Sequence, residues 1–176
     1  ATVMVTVTVT EENARIIAVY SPIHRVGKTT FSIAFGKECA KKKQVLYLNF
    51  EAYSGLTESE GLNMGDLLYY IKQGNGNLGI RLQAAIRSWE HLDYVTPIPI
   101  ARDLKDVSET EWKELIHEIL QNSTYELLIL DVSESMQGLR TILSLCDKIY
   151  MPILEDEVSK GKIEQYDNNM KQMNMD

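Results

Sequence analysis

Cysteine is scarce in this 176-residue chain, which has only Cys39 and Cys146. Both sit in apolar-periodic stretches and match no metal or redox spacing, the usage of a reduced, cytosolic protein. Basic residues are also few, with 18 Lys and Arg against 25 Asp and Glu and a formal charge of −7. The basic cluster Lys41-Lys42-Lys43 reads as a helix end, where cations complement the dipole. A nucleic-acid face needs a broader basic surface, so DNA binding is not expected. No apolar run reaches the length of a membrane span. The N-terminus also lacks the basic-then-apolar order of a signal peptide. What is present is 44% hydrophobic residues, enough for one globular α/β-sized domain with a core.

Residues 1–14 read as a linker or an extra strand, because ATVMVTVTVT alternates Val with Thr in period two. Arg15 to Tyr20 (RIIAVY) is a nearly continuous apolar run, as in a strand buried on both faces. A polar turn from Ser21 to Gly27 follows. Lys28 to Lys42 then has helical periodicity, with Phe31, Ala34, Phe35 and Cys39 on one side. Gln44 to Phe50 (QVLYLNF) is a second apolar strand, completing a βαβ unit of the kind that builds parallel sheets. Further on, Met64 to Gln73 reads as a helix, Gly74 to Gly79 as a loop and Ile80 to Trp89 as a helix. Leu92 to Ile98 is strand-like. Ser108 and Glu111 form a capping box for a helix from Glu109 to Gln121. Tyr125 to Leu130 is the most apolar strand and ends in Asp131. Ser135 to Cys146 reads as a helix, Asp147 to Leu154 as a strand and Glu157 to Met175 as a polar helix. The alternation predicts a three-layer, doubly wound, mainly parallel α/β sheet, with one domain over residues 15–176.

The chemistry concentrates in Ser21-Pro22-Ile23-His24-Arg25-Val26-Gly27-Lys28-Thr29-Thr30. A loop wrapped over a helix N-terminus offers converging amides and a positive dipole end to a phosphate. Lys28 would reach the β- and γ-phosphates, the Thr29 hydroxyl would ligate Mg²⁺, and Thr30 would bond the α-phosphate. Gly27 keeps a side chain out of the turn and away from the anion. His24, Arg25 and Val26 complete the binding loop. The pattern G-x-x-x-x-G-K-[ST] is broken by Pro22, which stands where its first Gly belongs. Asp131, at a strand tip, is placed to order Mg²⁺. Asn49 and Glu51 alternate onto one side of their strand end, where either could position an attacking water. The competing readings are a plain βα turn, a turn-forming Asp and an ordinary strand end.

From Arg15 onward the chain resembles the ParA/MinD family of deviant Walker-A ATPases. The matching pieces are IIAVYSPIHRVGKTTFSIAFGKECAKKKQVLYLNF, YELLILDVSES and CDKIYMPI. Among the branches of that family it looks most like the TadZ/CpaE-type proteins that place type IV pilus secretion machinery. The resemblance implies ATP and Mg²⁺ as cofactors and a face-to-face homodimer. It also implies protein partners in a membrane-associated pilus or secretion machine, and a cytoplasmic protein that partners recruit to the membrane or pole. The family loop reads K-G-G-x-G-K-T, with the first Lys acting on the partner's nucleotide. Here that Lys is Ile23, and the two glycines are His24 and Arg25. The family's Asp-x-Asp at the second strand is Asn49 and Glu51.

These departures imply weak or slow ATPase activity on a site that still binds nucleotide. A loop after Glu51 (AYSGLTESEGLN) would be the switch. The near-absence of basic residues in QYDNNMKQMNMD argues against direct membrane insertion. Because the family continues in further strands, and TadZ/CpaE-like proteins add a receiver-like domain, the chain is expected to be part of a longer protein. The alternatives are a P-loop kinase or active ATPase, and a degenerate, nucleotide-free interaction domain.

Overall fold

The computed structural model describes residues 2–8, 15–24, 26–51, 61–74, 78–154 and 157–173. In chain order the first elements are β1 (Thr2–Thr8), β2 (Ile16–Val19), α1 (Lys28–Ala40), β3 (Val45–Asn49), α2 (Met64–Lys72), α3 (Leu78–Ala85) and β4 (Ile86–Trp89). They are followed by β5 (Leu92–Val95), α4 (Ala101–Asp106), α5 (Glu109–Asn122), β6 (Leu127–Asp131), α6 (Leu139–Ser144), β7 (Lys148–Leu154) and α7 (Glu157–Met173).

The strands form one seven-stranded sheet in the order β1-β7-β2-β6-β3-β5-β4. The five inner strands are parallel, with β1 antiparallel to β7 at one edge and β4 antiparallel to β5 at the other. Strands β2, β3 and β6 are buried at every position. That burial explains why they read as continuous apolar runs and not as alternating ones.

Alternation of side chains splits the core in two. Ile17, Val19, Val45, Tyr47, Leu127 and Ile129 face α1, packing with Phe31, Phe35 and Cys39. Ile16, Ala18, Leu46, Leu48, Leu128 and Leu130 face the opposite layer of α2, α3, α5 and α6. By the same parity, Asn49 and Asp131 at the strand tips belong to the α1 side. The fold is therefore the expected α/β sheet covered on both faces.

Several expected elements have different limits. The stretch Ile80 to Trp89 is not one helix: α3 ends at Ala85, and Ile86–Trp89 is a strand paired with β5 through a turn in which Glu90 has φ 58°. Pairing at the sheet edge overrides the weak helical period. The helix expected from Ser135 to Cys146 is only Leu139–Ser144, since Gly138 precedes it at φ 69° in the left-handed region. Residues 101–106 form α4, which the sequence reading passed over. In α1, Ala34 is exposed, and the buried positions are Ser32 and Gly36. A Cβ on Gly36 would meet Leu92 Cδ2 at 2.9 Å, so the helix lies on the sheet along that line. Both Ser108 and Asn63 cap their helices with reciprocal boxes, through Glu111 and Asp66.

Candidate functional site

The parallel register places three residues in one row across the C-terminal strand tips: Val19 pairs with Asp131, and Asn49 pairs with Asp131 from the other side. In open parallel sheets this end is where ligands bind. Helix α1 starts directly above, because the chain turns from β2 through Ser21–Gly27 into Lys28. Ser21 Oγ anchors the turn, donating to Pro152 O at 2.7 Å and accepting from Ile23 N at 3.2 Å. Gly27 is the N-cap residue at φ 76°, ψ 26°, and no side chain among the described residues caps the helix. The first helical amide bond runs from Phe31 N to Gly27 O at 2.9 Å. By helix geometry the amides of Lys28, Thr29 and Thr30 precede any intrahelical acceptor and are left for something else. The left-handed backbone favours glycine here, and a Cβ on Gly27 would meet no protein atom within 4 Å beyond its chain neighbours.

Lys28 and Thr29 turn inward onto Asp131, which has no exposed surface. Lys28 Nζ donates to Asp131 Oδ1 at 2.5 Å and also pairs with Glu51. Thr29 Oγ1 donates to Asp131 Oδ2 at 2.8 Å. The same oxygen accepts from Tyr47 OH at 2.8 Å and from Asn49 Nδ2 at 3.3 Å. A cavity of about 500 Å³ opens in front, lined by Ser21, Ile23, His24, Val26, Gly27, Lys28, Thr29, Thr30, Glu51, Ser133 and Glu134.

Of the residues singled out from sequence, His24, Val26, Gly27, Lys28, Thr29, Thr30 and Glu51 line this cavity. Asp131 lies behind it and is reached through Lys28 and Thr29. Asn49 is not on the cavity: it is fully buried, its amide hydrogens on Tyr47 and Asp131 and its Oδ1 on Glu51 N at 2.9 Å. Arg25 and residues 52–60, which include most of the expected switch loop, lie outside the described residues.

The sequence reading missed Tyr47 and Glu134. Tyr47 was legible, since period two places it on the face of Asn49. Burial and then the Asp131 charge push its hydroxyl far above the usual tyrosine value, so it stays a donor. Glu134 accepts from Tyr20 OH at 3.0 Å, and the Tyr20 ring packs on Tyr166 of α7 at 5.4 Å.

The donor set fits a nucleotide with Mg²⁺. Free amides and a lysine face a cavity of suitable size, with a hydroxyl and a carboxylate 2.8 Å apart beside them. Among the described residues no group of three or more His, Cys, Asp or Glu gathers as a metal cage. Mg²⁺ usually takes one or two protein oxygens together with phosphates and water. No helix among the described residues is long and apolar enough to cross a membrane.

No protein-family profile and no curated protein matches the chain. Solved structures do. A plasmid partition protein from Borrelia burgdorferi bound to AMPPNP aligns with TM-score 0.61 at 15% identity, over 93% of this chain and 72% of its own. A ParA family ATPase from Chlorobium tepidum aligns with TM-score 0.60 at 13% identity, over 77% and 58%. The septum site-determining protein MinD of Pyrococcus horikoshii, complexed with Mg-ADP, aligns with TM-score 0.55 at 18% identity, over 74% and 54%. The chain thus spans little more than half the length of the last two. It has the three-layer α/β fold of the ParA/MinD P-loop ATPases.

Proposed function

We propose that this chain binds ATP with Mg²⁺ at the β2–α1 loop and works as a nucleotide-switched positioning or scaffold protein with weak or slow ATPase activity. The observation that carries the reading is the uncapped α1 N-terminus: Gly27 in the left-handed region, with Lys28 and Thr29 both bonded to Asp131 behind the cavity. Two of the structural neighbours hold AMPPNP and Mg-ADP.

In this reading the amides of Lys28, Thr29 and Thr30 bind phosphate oxygens, and Lys28 neutralises their charge. Thr29 and Asp131 hold Mg²⁺, which when bound offsets charge on the phosphates and orients them. Slow turnover follows from three features. Ile23 is apolar, where a cation would stabilise developing charge. Asn49 has its hydrogen-bonding groups committed inside the protein. Glu51, the lining carboxylate nearest to Lys28, is paired with it.

A homodimer closed over two nucleotides is proposed for the same site. The pilus or secretion apparatus is proposed from the resemblance of IIAVYSPIHRVGKTT and YELLILDVSES to the TadZ/CpaE branch. Kinase activity on a tyrosine tail draws no support here, since Tyr166 is packed on Tyr20.

Calorimetry with ATP-Mg²⁺, paired with light scattering, tests the proposal. The parent protein is expected to bind and to dimerise more with nucleotide, and Lys28→Ala to do neither. A ligand that binds only the folded state raises the melting point, so the ligand-induced shift is the control for any loss of stability in Lys28→Ala. Equal binding by Lys28→Ala, or none by the parent, sinks the assignment, and the second outcome leaves the nucleotide-free interaction domain.

A further inference from the structure

The α1 face of β3 carries a hydrogen-bond relay beneath the cavity. Glu51 N donates to Asn49 Oδ1 at 2.9 Å, and a backbone amide can only donate, so the orientation of the Asn49 side chain is fixed. Its Nδ2 then faces inward, donating to Tyr47 OH at 3.0 Å and reaching Asp131 Oδ2 at 3.3 Å. With Asn49 donating to its oxygen, the Tyr47 hydroxyl spends its one proton on Asp131 Oδ2 at 2.8 Å. All three residues have essentially no exposed surface. The donors therefore have no competing water, and hydrogen bonds in such a site polarise one another.

We infer that Tyr47 is a positioning residue for the nucleotide site: its hydroxyl, with the Asn49 amide behind it, fixes Oδ2 of Asp131 and leaves Oδ1 as the oxygen that can turn to a cation. This rests on the reading of the cavity as a nucleotide-Mg²⁺ site. Among the described residues Oδ1 takes only Lys28, whereas Oδ2 takes three neutral donors, Thr29, Tyr47 and Asn49. When Lys28 turns to phosphate, the carboxylate stays in place because its other oxygen is held. The relay also gives a reason for Asn, not Asp, at position 49. A carboxylate there has no hydrogen to give Tyr47 and would set a second buried negative charge beside Asp131, which is costly without a partner.

Tyr47→Phe removes one oxygen and keeps the ring, so its fold is expected to survive. Two titrations separate positioning from general damage. Affinity for ADP without metal is expected to match the parent protein, while the Mg²⁺ concentration that half-maximally tightens ATP binding rises about tenfold, the scale of one lost hydrogen bond to a charged group. If both affinities fall together, or the Mg²⁺ requirement stays put in a nucleotide-binding protein, the role given to Tyr47 is wrong and the cavity reading stands. If the parent binds no nucleotide, the cavity reading falls and takes this role with it.

A second readout needs no nucleotide. The Tyr47 hydroxyl proton should appear by NMR as a slowly exchanging, downfield resonance, absent in Tyr47→Phe and shifted in Asn49→Ala. A hydroxyl that exchanges like that of an exposed tyrosine overturns the relay.

Discussion

Lys28 Nζ rests 2.5 Å from Asp131 Oδ1 and also meets the Glu51 carboxylate. The side chain that the proposed function assigns to phosphate is thus neutralised by two carboxylates of the protein itself. Phosphates must take it from them, so part of their attraction is offset.

Glu51→Gln is accordingly expected to bind metal-free ADP more tightly. A charged hydrogen bond in a partly buried place contributes about 1–3 kcal/mol, and the partial exposure of Glu51 lowers its share. A gain of about threefold to tenfold is the expected result by calorimetry. Metal is left out so that any part Glu51 takes in Mg²⁺ binding does not mask the effect. Weaker metal-free binding by the variant would contradict the idea that Glu51 competes for Lys28.

Two glycines with the same backbone hand should respond differently to alanine. Gly27 (φ 76°) has open space around its missing Cβ, so Gly27→Ala carries the left-handed penalty alone, about 1–2 kcal/mol. Gly138 (φ 69°) has Glu109 Cβ at 2.6 Å from that position and Glu109 Cα at 3.0 Å. Gly138→Ala therefore adds a clash with the start of α5 and should cost more. Urea unfolding of both variants measures the difference, and an equal loss would show that space plays no part.

The parts of this fold that were legible share a cause. IIAV, VLYLN and LLILD are buried on both faces, so burial fixes their residue types up to the polar tips Asn49 and Asp131. The loop from Ser21 to Thr30 was legible because few residue types turn a strand onto a helix N-terminus beside a lysine. What escaped depends on partners distant in sequence. The stretch IRSW is a strand paired with β5, against the weak helical period it carries. The place of Asn49 depends on Tyr47 and Asp131, which meet only when β3 and β6 lie side by side. Helix α4 has six residues, too few for a period to show.

Asn49→Asp brings position 49 to the acidic residue of the resembled family, yet it should not bring rapid hydrolysis. The new carboxylate would lie beside the Asp131 carboxylate in a place with no exposed surface. The variant is expected to lose stability, by about 3 kcal/mol if the new charge finds no partner. Its ATP turnover should stay at or below that of the parent protein. A stable Asn49→Asp with faster turnover would mean that the carboxylate swings into the cavity and works on water there.

The response to alkaline pH follows from buried groups that keep their protons when folded. Burial, helped by the Asp147 charge, pushes the Cys146 thiol from its ordinary 9.0 up to about 12. Burial also raises the hydroxyls of Tyr20, Tyr47 and Tyr125 above their ordinary 10.0, each helped by a neighbouring carboxylate, namely Glu134, Asp131 and Asp93. Above pH 9 the unfolded chain begins to release protons that the folded chain retains. The folded state then binds more protons, and stability falls as pH rises. The contribution of these groups is fully present below pH 9 and is lost above it, with the thiol's share gone as pH approaches 12. At about 1.4 kcal/mol per unit, Cys146 alone takes off about 1–2 kcal/mol by pH 11, allowing for some relaxation around it. Urea midpoints measured from pH 7 to pH 11 should hold level and then drop, with a later and shallower drop in Cys146→Ala. The same shift keeps the folded thiol slow toward iodoacetamide at pH 8, because the thiolate is the nucleophile. Midpoints that stay level to pH 11, or a Cys146 that alkylates as fast folded as in urea, would show that the burial of these groups is not maintained in solution.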